Sequence, residues 1–149
     1  MRLASRRERI FPNLSASHYR VTSEETAAYN CIAWAAADTT AWWWPDAGGD
    51  YFWPAQAPRE ETVEAFVAAF ATAGYEPCDD PALEPGFEKL AIYVDGAGIP
   101  THAARQLESA AWTSKLGGWE DIEHGDLPDL GGRDPAYGTV ARILRRARK

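Results

Sequence analysis

Two segments in the first half of the chain carry hydrophobic residues in patterns that are typical of helices. Residues 29–37 are apolar almost all round, which predicts a buried central helix with Asn30 as its N-cap. Residues 59–74 begin with several glutamates, which favour a helix start, and Gly74 is a natural stop. The apolar residues of this segment recur at intervals of three and four, so one face should pack on the core. That face consists of Val63, Phe66, Val67 and Phe70.

The second half of the chain changes to short runs that favour β-strands, separated by glycine-containing turns. Their short gaps predict an antiparallel meander, followed by a last strand after a Gly/Asp/Pro loop. The predicted strands cover residues 89–94, 101–107, 111–116 and 137–144. Because the helices come first and the strands second, the order predicts an α+β fold.

Three connections lack a regular pattern. Residues 10–22 predict an irregular arm, and residues 75–87 predict a connection rich in proline and acidic residues. Residues 41–58 predict a loop with prolines, paired glycines and four of the seven tryptophans, and we call it the Trp-rich loop. These four are Trp42, Trp43, Trp44 and Trp53. They can roof a small core, or some of them can line a cleft and stack on a ligand.

Composition and charge narrow the class of protein. The chain has 149 residues, of which 46% are hydrophobic, and this predicts one domain over residues 1–149 rather than a disordered chain. Two cysteines cannot build a disulfide scaffold or a four-cysteine zinc site. The net charge of −7 argues against a general nucleic-acid binder.

The charge is distributed unevenly along the chain. Residues 10–141 carry six basic and 21 acidic residues, a net charge of −15, and the other basic residues lie near the two ends. The basic ends, 1–9 and 145–149, could be flexible and solubilising, or could dock on the acidic body or on anionic partners. The chain contains no membrane segment and no signal-peptide pattern, which predicts a cytoplasmic protein with free thiols and no membrane partner.

Cys31 is the best candidate for chemistry, because it lies at the start of a predicted helix. Backbone N–H groups and the helix dipole stabilise a thiolate there, and a thiolate attacks carbonyl groups. A nucleophilic cysteine needs a base, and His102 at the start of a predicted strand can serve, oriented by Thr113 or Ser114. The alternative is that Cys31 is a small core residue and His102 a structural histidine.

Other chemistries find less support in the sequence. The cysteines and histidines show no C-x-x-C or H-x-x-x-H spacing, so we expect no metal site. Phosphate-binding, dinucleotide-binding and serine-hydrolase motifs are absent, so we expect no cofactor. Cys78 is interpreted as a loop residue without a partner.

Five short segments resemble an uncharacterised bacterial domain family. The segments are 29–35 (YNCIAWA), 101–104 (THAA), 112–117 (WTSKLG), 122–124 (IEH) and 137–138 (YG). This family is similar to the papain-like cysteine hydrolases, which include the NlpC-type cell-wall amidases, and the resemblance spans about residues 10–145. It implies a papain-like α+β fold, in which a central helix packs on a small antiparallel β-sheet.

The resemblance also implies roles for individual residues. Cys31 would be the nucleophile, His102 the general base and Ser114 the third catalytic residue. Glu123 or His124 could replace Ser114, and the Cys31 N–H would be one oxyanion donor. Candidates for the second oxyanion donor are Asn30 and a polar residue of the arm, such as His18 or Tyr19. The wall of the cleft would come from Trp34, Trp42, Trp43, Trp44 and Trp53.

We therefore expect a cysteine-dependent hydrolase or acyltransferase, a thiol peptidase or amidase, that acts on a peptide or small amide substrate. The alternative is a catalytically inactive papain-like binding or immunity-type module that uses the Trp-rich loop as its interface with a protein partner. A Cys31 sulfur within about 4 Å of a His102 ring nitrogen, beside an open cleft, would favour the enzyme. A buried Cys31 without a cleft would favour the binding module.

Overall fold

One antiparallel sheet of seven strands forms most of the fold. The computed structural model describes residues 2–148. The strands are β1 (Arg20–Val21), β2 (Glu76–Cys78), β3 (Phe87–Val94), β4 (Pro100–Gln106), β5 (Trp112–Lys115), β6 (Asp121–His124) and β7 (Thr139–Ala147). Their order across the sheet is β1-β6-β5-β4-β3-β7-β2. The meander from β3 to β6 is therefore present, and β7 returns to pair with the other side of β3.

The helices that accompany the sheet are short. They are α1 (Ser5–Glu8), α2 (Pro12–Ser15), α3 (Cys31–Ala35) and α4 (Val63–Ala71), and a 3₁₀ helix covers Leu127–Leu130. The expected papain-like α+β fold is wrong, because the sheet dominates and α3, with five residues, is not a central helix. α3 ends early because Ala37 adopts a φ of 67°, and the Asp38 N–H then bonds back to the Ala33 carbonyl. Within residues 2–148, no helix is long and apolar enough to cross a membrane.

The sequence located the two longer helices and four of the strands, with errors at their ends. Asn30 accepts a hydrogen bond from the Ala33 N–H, so its predicted role as N-cap of α3 is confirmed. α4 begins later than predicted, because Thr62 is extended and serves as the N-cap. The prediction misses β1, β2 and β6, which have two to four residues each and are too short to show an alternating pattern.

The sheet separates two hydrophobic clusters. Residues directly opposite each other on neighbouring strands share a face, so Ile92 and Ala103 lie on one side and Tyr93 and His102 on the other. We call the first side the helical face, because α3, α4 and buried parts of the Trp-rich loop cover it. We call the second side the arm face, because the N-terminal arm covers it with Leu3, Phe11, Leu14 and Tyr19.

Both basic ends take part in the folded structure. Arg7 in α1 pairs with Glu25 at 2.9 Å and with Glu120 at 2.7 Å. Arg146 in β7 pairs with Glu88 at 2.5 Å. Within the described residues the ends therefore dock on the acidic body rather than extend from it. Residues 1 and 149, which belong to the predicted basic ends, lie outside the described residues.

Candidate functional site

Cys31 begins α3 inside the cluster on the helical face. The Asn30 amide accepts from the Ala33 N–H at 3.2 Å and the Trp43 N–H at 3.0 Å, and donates to the Trp43 carbonyl at 2.8 Å. The Asn30 side chain is thus engaged in holding α3 and the Trp-rich loop together. Cys31 is only 6% exposed, and burial raises the pKa of its thiol to about 11. At neutral pH the thiol is therefore protonated and shielded from solvent.

His102 lies on β4 with its ring on the arm face. The ring stacks on Tyr137, with centroids 4.1 Å apart and an interplanar angle of 3°, and meets Tyr93 edge to face. Within residues 2–148, neither ring nitrogen has a hydrogen-bond partner, so Cys31 and His102 do not form a hydrogen-bonded nucleophile–base pair. Burial lowers the pKa of His102 well below its usual range, which keeps the ring neutral.

Ser114 pairs with His124 rather than with His102. Ser114 Oγ lies 2.8 Å from His124 Nε2, and His124 Nδ1 lies 3.0 Å from the Asp126 carbonyl oxygen. Since a carbonyl only accepts, Nδ1 carries the proton and Nε2 accepts from the Ser114 hydroxyl. Burial also lowers the pKa of His124, which favours this neutral form. The pair links β5 to the end of β6 and does not orient His102.

The tryptophans predicted to wall a cleft belong largely to the core. Trp43 and Trp53 are buried on the helical face. Trp44 and Trp53 meet Phe66 of α4 edge to face, with centroids 5.4 and 4.9 Å apart. The aromatic side chain of the loop that is most exposed is Phe52, at 47%. Most tryptophans of this loop therefore cover the core, which is one of the two interpretations that the sequence left open.

The remaining predicted site residues connect elements of the fold. Trp34 donates its indole N–H to Thr113 Oγ1 at 2.9 Å and so ties α3 to β5. Glu123 pairs with Arg20 at 2.8 Å and ties β6 to β1. Trp42 is half-buried. The structure thus brings Asn30, Cys31 and Trp43 together, and separately Ser114 and His124, but it does not assemble the predicted catalytic set.

An apolar cavity of about 540 Å³ opens on the arm face, and neither Cys31 nor His102 lines it. Its floor is the arm face of the sheet, where the half-buried Val140 and Ile143 of β7 lie beside the buried Tyr93 of β3. We call this cavity the β7 groove. Its walls include Pro81, Leu127 and Pro128. The volume lies in the range of about 300–1,000 Å³ that is usual for ligand sites, and the lining is mostly apolar.

The outer edge of β7 is only partly paired. β3 pairs with β7 along residues 139–147, but β2 pairs on the other side only with residues 143–145. Within residues 2–148, no strand pairs with residues 139–142 on the side away from β3. Backbone groups on this edge can therefore bond to a further strand. This open edge and the β7 groove lie side by side, since Thr139, Val140 and Ile143 line the groove.

A close backbone approach fixes the far end of the groove. Gly138 has a φ of +83°, and a Cβ placed there would lie 1.9 Å from the Val94 carbonyl oxygen. Only glycine fits this position, which precedes β7 directly. Gly138 also pairs with Gly132, so the loop between them is held against the end of β3. The wall of the groove is thus formed before any ligand binds.

The sequence pattern does not predict the β7 groove. Val140 and Ile143 stand three residues apart, a spacing that places two residues on opposite faces of a regular strand. The register between β3 and β7 shifts between Ile92 and Tyr93, so that Val140 lies opposite Tyr93 and Ile143 opposite Ala91. This irregularity brings both side chains to the arm face. The sequence signal that points to the site is the predicted strand at 137–144, which carries Val140 and Ile143.

A family model described as a domain of unknown function (DUF7689) matches residues 20–145. No curated protein and no solved structure matches the chain. The match covers all seven strands except the last residues of β7.

Proposed function

The chain belongs to the DUF7689 family, and we propose that it is a non-catalytic module that binds an extended, apolar peptide segment of a partner protein. The observation that carries this proposal is the unpaired edge of β7 at residues 139–142, which lies directly beside the apolar β7 groove. An added strand would use both features. Its backbone would bond to the open edge, and its alternate side chains would reach the groove.

The dimensions of the site suit this mode of binding. Four residues of an added strand span about 13 Å, at about 3.3 Å for each residue. Natural proteins usually cover or charge the open edges of their sheets, because such edges pair with other chains. Here the edge beside the groove presents Thr139, Val140 and Ala141, and Arg142 is the single charged residue of the unpaired stretch. An edge left open beside an apolar groove favours a binding role.

Burial of the predicted nucleophile supports a non-catalytic role. Cys31 is enclosed in the core with a raised pKa, and the nitrogens of His102 have no partner within the described residues. An active thiol needs a thiolate, or a base at hydrogen-bond distance, and access for a substrate. The conformation in hand supplies none of these conditions.

Cysteine-dependent hydrolysis by Cys31 and His102 is a second candidate function, favoured by one specific observation. Within residues 2–148, the two buried ring nitrogens of His102 have no partner, which is costly, and a catalytic role is one explanation for such groups. Cys31 begins a helix, and the following residues of α3 contact β4, the strand that carries His102. This function would require a rearrangement that opens the core. The reactivity of the Cys31 thiol distinguishes the two functions.

Selection of peptides from a random displayed library tests the binding function. The library would be panned against the full chain, with removal of peptides that also bind Ile143→Arg, whose long charged side chain would occupy the groove. We expect the enriched peptides to carry apolar residues at alternate positions, because alternate side chains of a strand share a face. Their affinity for Ile143→Arg should fall at least about tenfold.

A matched control introduces the same charge elsewhere. Phe52→Arg changes an exposed aromatic of the Trp-rich loop, and we expect affinities within about twofold of the original chain. Ile143→Trp also fills the groove but adds no charge. Loss of binding in this variant as well would show that filling the groove, rather than a folding defect in Ile143→Arg, abolishes binding. Binding that depends on Phe52 would instead favour the Trp-rich loop as interface. Peptides that bind all variants equally, or no enrichment at all, would overturn the proposed function.

A further inference from the structure

The β7 groove continues into a second cavity of about 390 Å³, and the two share Pro81, Leu127 and Pro128. The second cavity is bounded by two carboxylate side chains, Asp80 and Asp126. Neither takes part in a salt bridge within residues 2–148. This end of the combined groove therefore has apolar walls and two carboxylates that form no salt bridge within residues 2–148.

Gln106 gives the second, independent sign of a ligand at this end. It lines the same cavity, is only 1% exposed, and donates its Nε2–H to the Pro81 carbonyl at 2.8 Å. Its Oε1 is buried and has no hydrogen-bond partner within the described residues. A buried acceptor without a donor costs free energy, and a ligand N–H group would satisfy it.

Within residues 2–148, no lysine or arginine forms a salt bridge with Asp80 or Asp126. Lys89 pairs with Glu84 at 3.3 Å and donates to the Asp80 backbone carbonyl at 2.6 Å. The Lys89 ammonium thus binds Glu84 and a backbone carbonyl, and it does not pair with the side-chain carboxylate of Asp80 or Asp126. Asp80, Asp126 and Gln106 all line the cavity. Asp80 Oδ1 accepts from the Ala82 N–H and the Asp126 side chain caps the 3₁₀ helix, but a carboxylate can accept further hydrogen bonds, and a donor that carries positive charge suits it.

The direction of an added strand follows from β2. β2 is antiparallel to β7 and pairs Glu76 with Arg145 and Cys78 with Ile143. A strand that continues β2 along the open edge would run from Arg142 towards Thr139. Its first residues would lie where β2 ends, close to Asp80 and Pro81, and its last residues would lie near Gly138.

Resting on the proposed peptide-binding function, we infer that the bound peptide runs antiparallel to β7 and carries a lysine or arginine on the N-terminal side of its apolar residues. Asp80, Asp126 and Gln106 Oε1 would hold the cationic group. The apolar residues would supply most of the affinity, and the charged end would determine the direction and the choice of partner.

The test uses fluorescein-labelled synthetic peptides with the apolar sequence enriched in the panning. One carries lysine on the N-terminal side, one carries it on the C-terminal side, and one carries acetyl-lysine on the N-terminal side. We expect the first to bind the full chain about tenfold more tightly than the other two. This preference should weaken with added salt, since it depends on charge.

Variants assign the preference to named side chains. Asp80→Asn keeps the size of the side chain and an oxygen that can accept the Ala82 N–H, and it should reduce the preference to about threefold or less. Gln106→Met removes the unpartnered oxygen and should also reduce it. Asp79→Asn is the matched control, because Asp79 is an exposed neighbour that does not line the cavity, and it should leave the preference unchanged.

The outcomes separate this inference from the proposed function. Peptides that bind the full chain and not Ile143→Arg, but show no preference for lysine on the N-terminal side, would overturn the inference alone. A preference for lysine on the C-terminal side would overturn the antiparallel direction. Absence of any peptide that distinguishes the full chain from Ile143→Arg would overturn both.

Discussion

At the scale of single residues, His102 stands out among the predicted site residues because its polar ring is buried without hydrogen-bond partners within residues 2–148. Its ring is fully buried between β4 and Tyr137, and both nitrogens lack partners within residues 2–148. Leaving a buried polar atom unpaired costs about 1–3 kcal/mol, so the unpaired nitrogens of this ring reduce the stability of the fold. Ser114 and His124, in contrast, satisfy each other.

We predict that Cys31 reacts with iodoacetamide at least about 100-fold more slowly than Cys78 in the folded protein at pH 7.5. Burial encloses the Cys31 sulfur and raises its pKa to about 11, whereas Cys78 is only partly buried. Mass spectrometry of tryptic peptides after timed quenching measures both rates. In denaturant the two rates should become similar. Faster labelling of Cys31 than of Cys78 in the folded protein would favour the hydrolase candidate.

Several residue-level expectations could be derived from the sequence because they depend on neighbours a few positions away. Asn30 caps α3 through the N–H three residues ahead, which is a local relation. The pairing of Cys31 with His102 required contacts between distant elements. Their order along the chain does not determine which face of the sheet each side chain meets.

At the scale of elements, the short α3 and the irregular β7 explain where the expectations failed. A positive φ at Ala37 ends α3, although alanine is a strong helix former, because the loop that follows must turn back towards Asn30. In β7, a register shift opposite Tyr93 moves Val140 and Ile143 to one face. Tertiary contacts decide both features, and no pattern of neighbouring residues encodes them.

We predict that Gly138→Ala lowers the free energy of unfolding by about 2–4 kcal/mol, because the added Cβ would overlap the Val94 carbonyl at 1.9 Å. Gly98→Ala is the matched control. Gly98 has a similar φ of +80°, but no atom lies within 4 Å of an added Cβ. It should cost only the backbone strain of about 1–2 kcal/mol. Urea unfolding measures both, and equal losses would contradict the close approach that fixes the groove.

At the scale of the whole molecule, we predict that stability decreases as pH falls from 7 to 5. Burial lowers the pKa of His102 well below its usual range in the folded chain, and it also lowers the pKa of His124. In the unfolded chain both bind protons near pH 6.5, so below that pH protonation favours unfolding. For His102 the loss approaches about 1.4 kcal/mol for each pH unit below pH 6, and His124 adds to it. Urea unfolding at a series of pH values measures it.

Two variants test the assignment of this pH dependence. His102→Phe should retain stability at pH 7 and should reduce the loss between pH 7 and 5, because the ring then cannot bind a proton. His18→Gln removes an exposed histidine and should leave the loss unchanged. An undiminished loss in His102→Phe would show that another group causes it.

The central claim, that a peptide adds to the sheet along β7, is tested most directly by amide hydrogen exchange. Exchange is measured by NMR for each residue, with and without a saturating peptide from the panning. We expect the amides of residues 139–142 that point away from β3 to exchange at least about tenfold more slowly when the peptide is bound. Protection centred on Phe52 and the Trp-rich loop, or no change at residues 139–142, would contradict the claim.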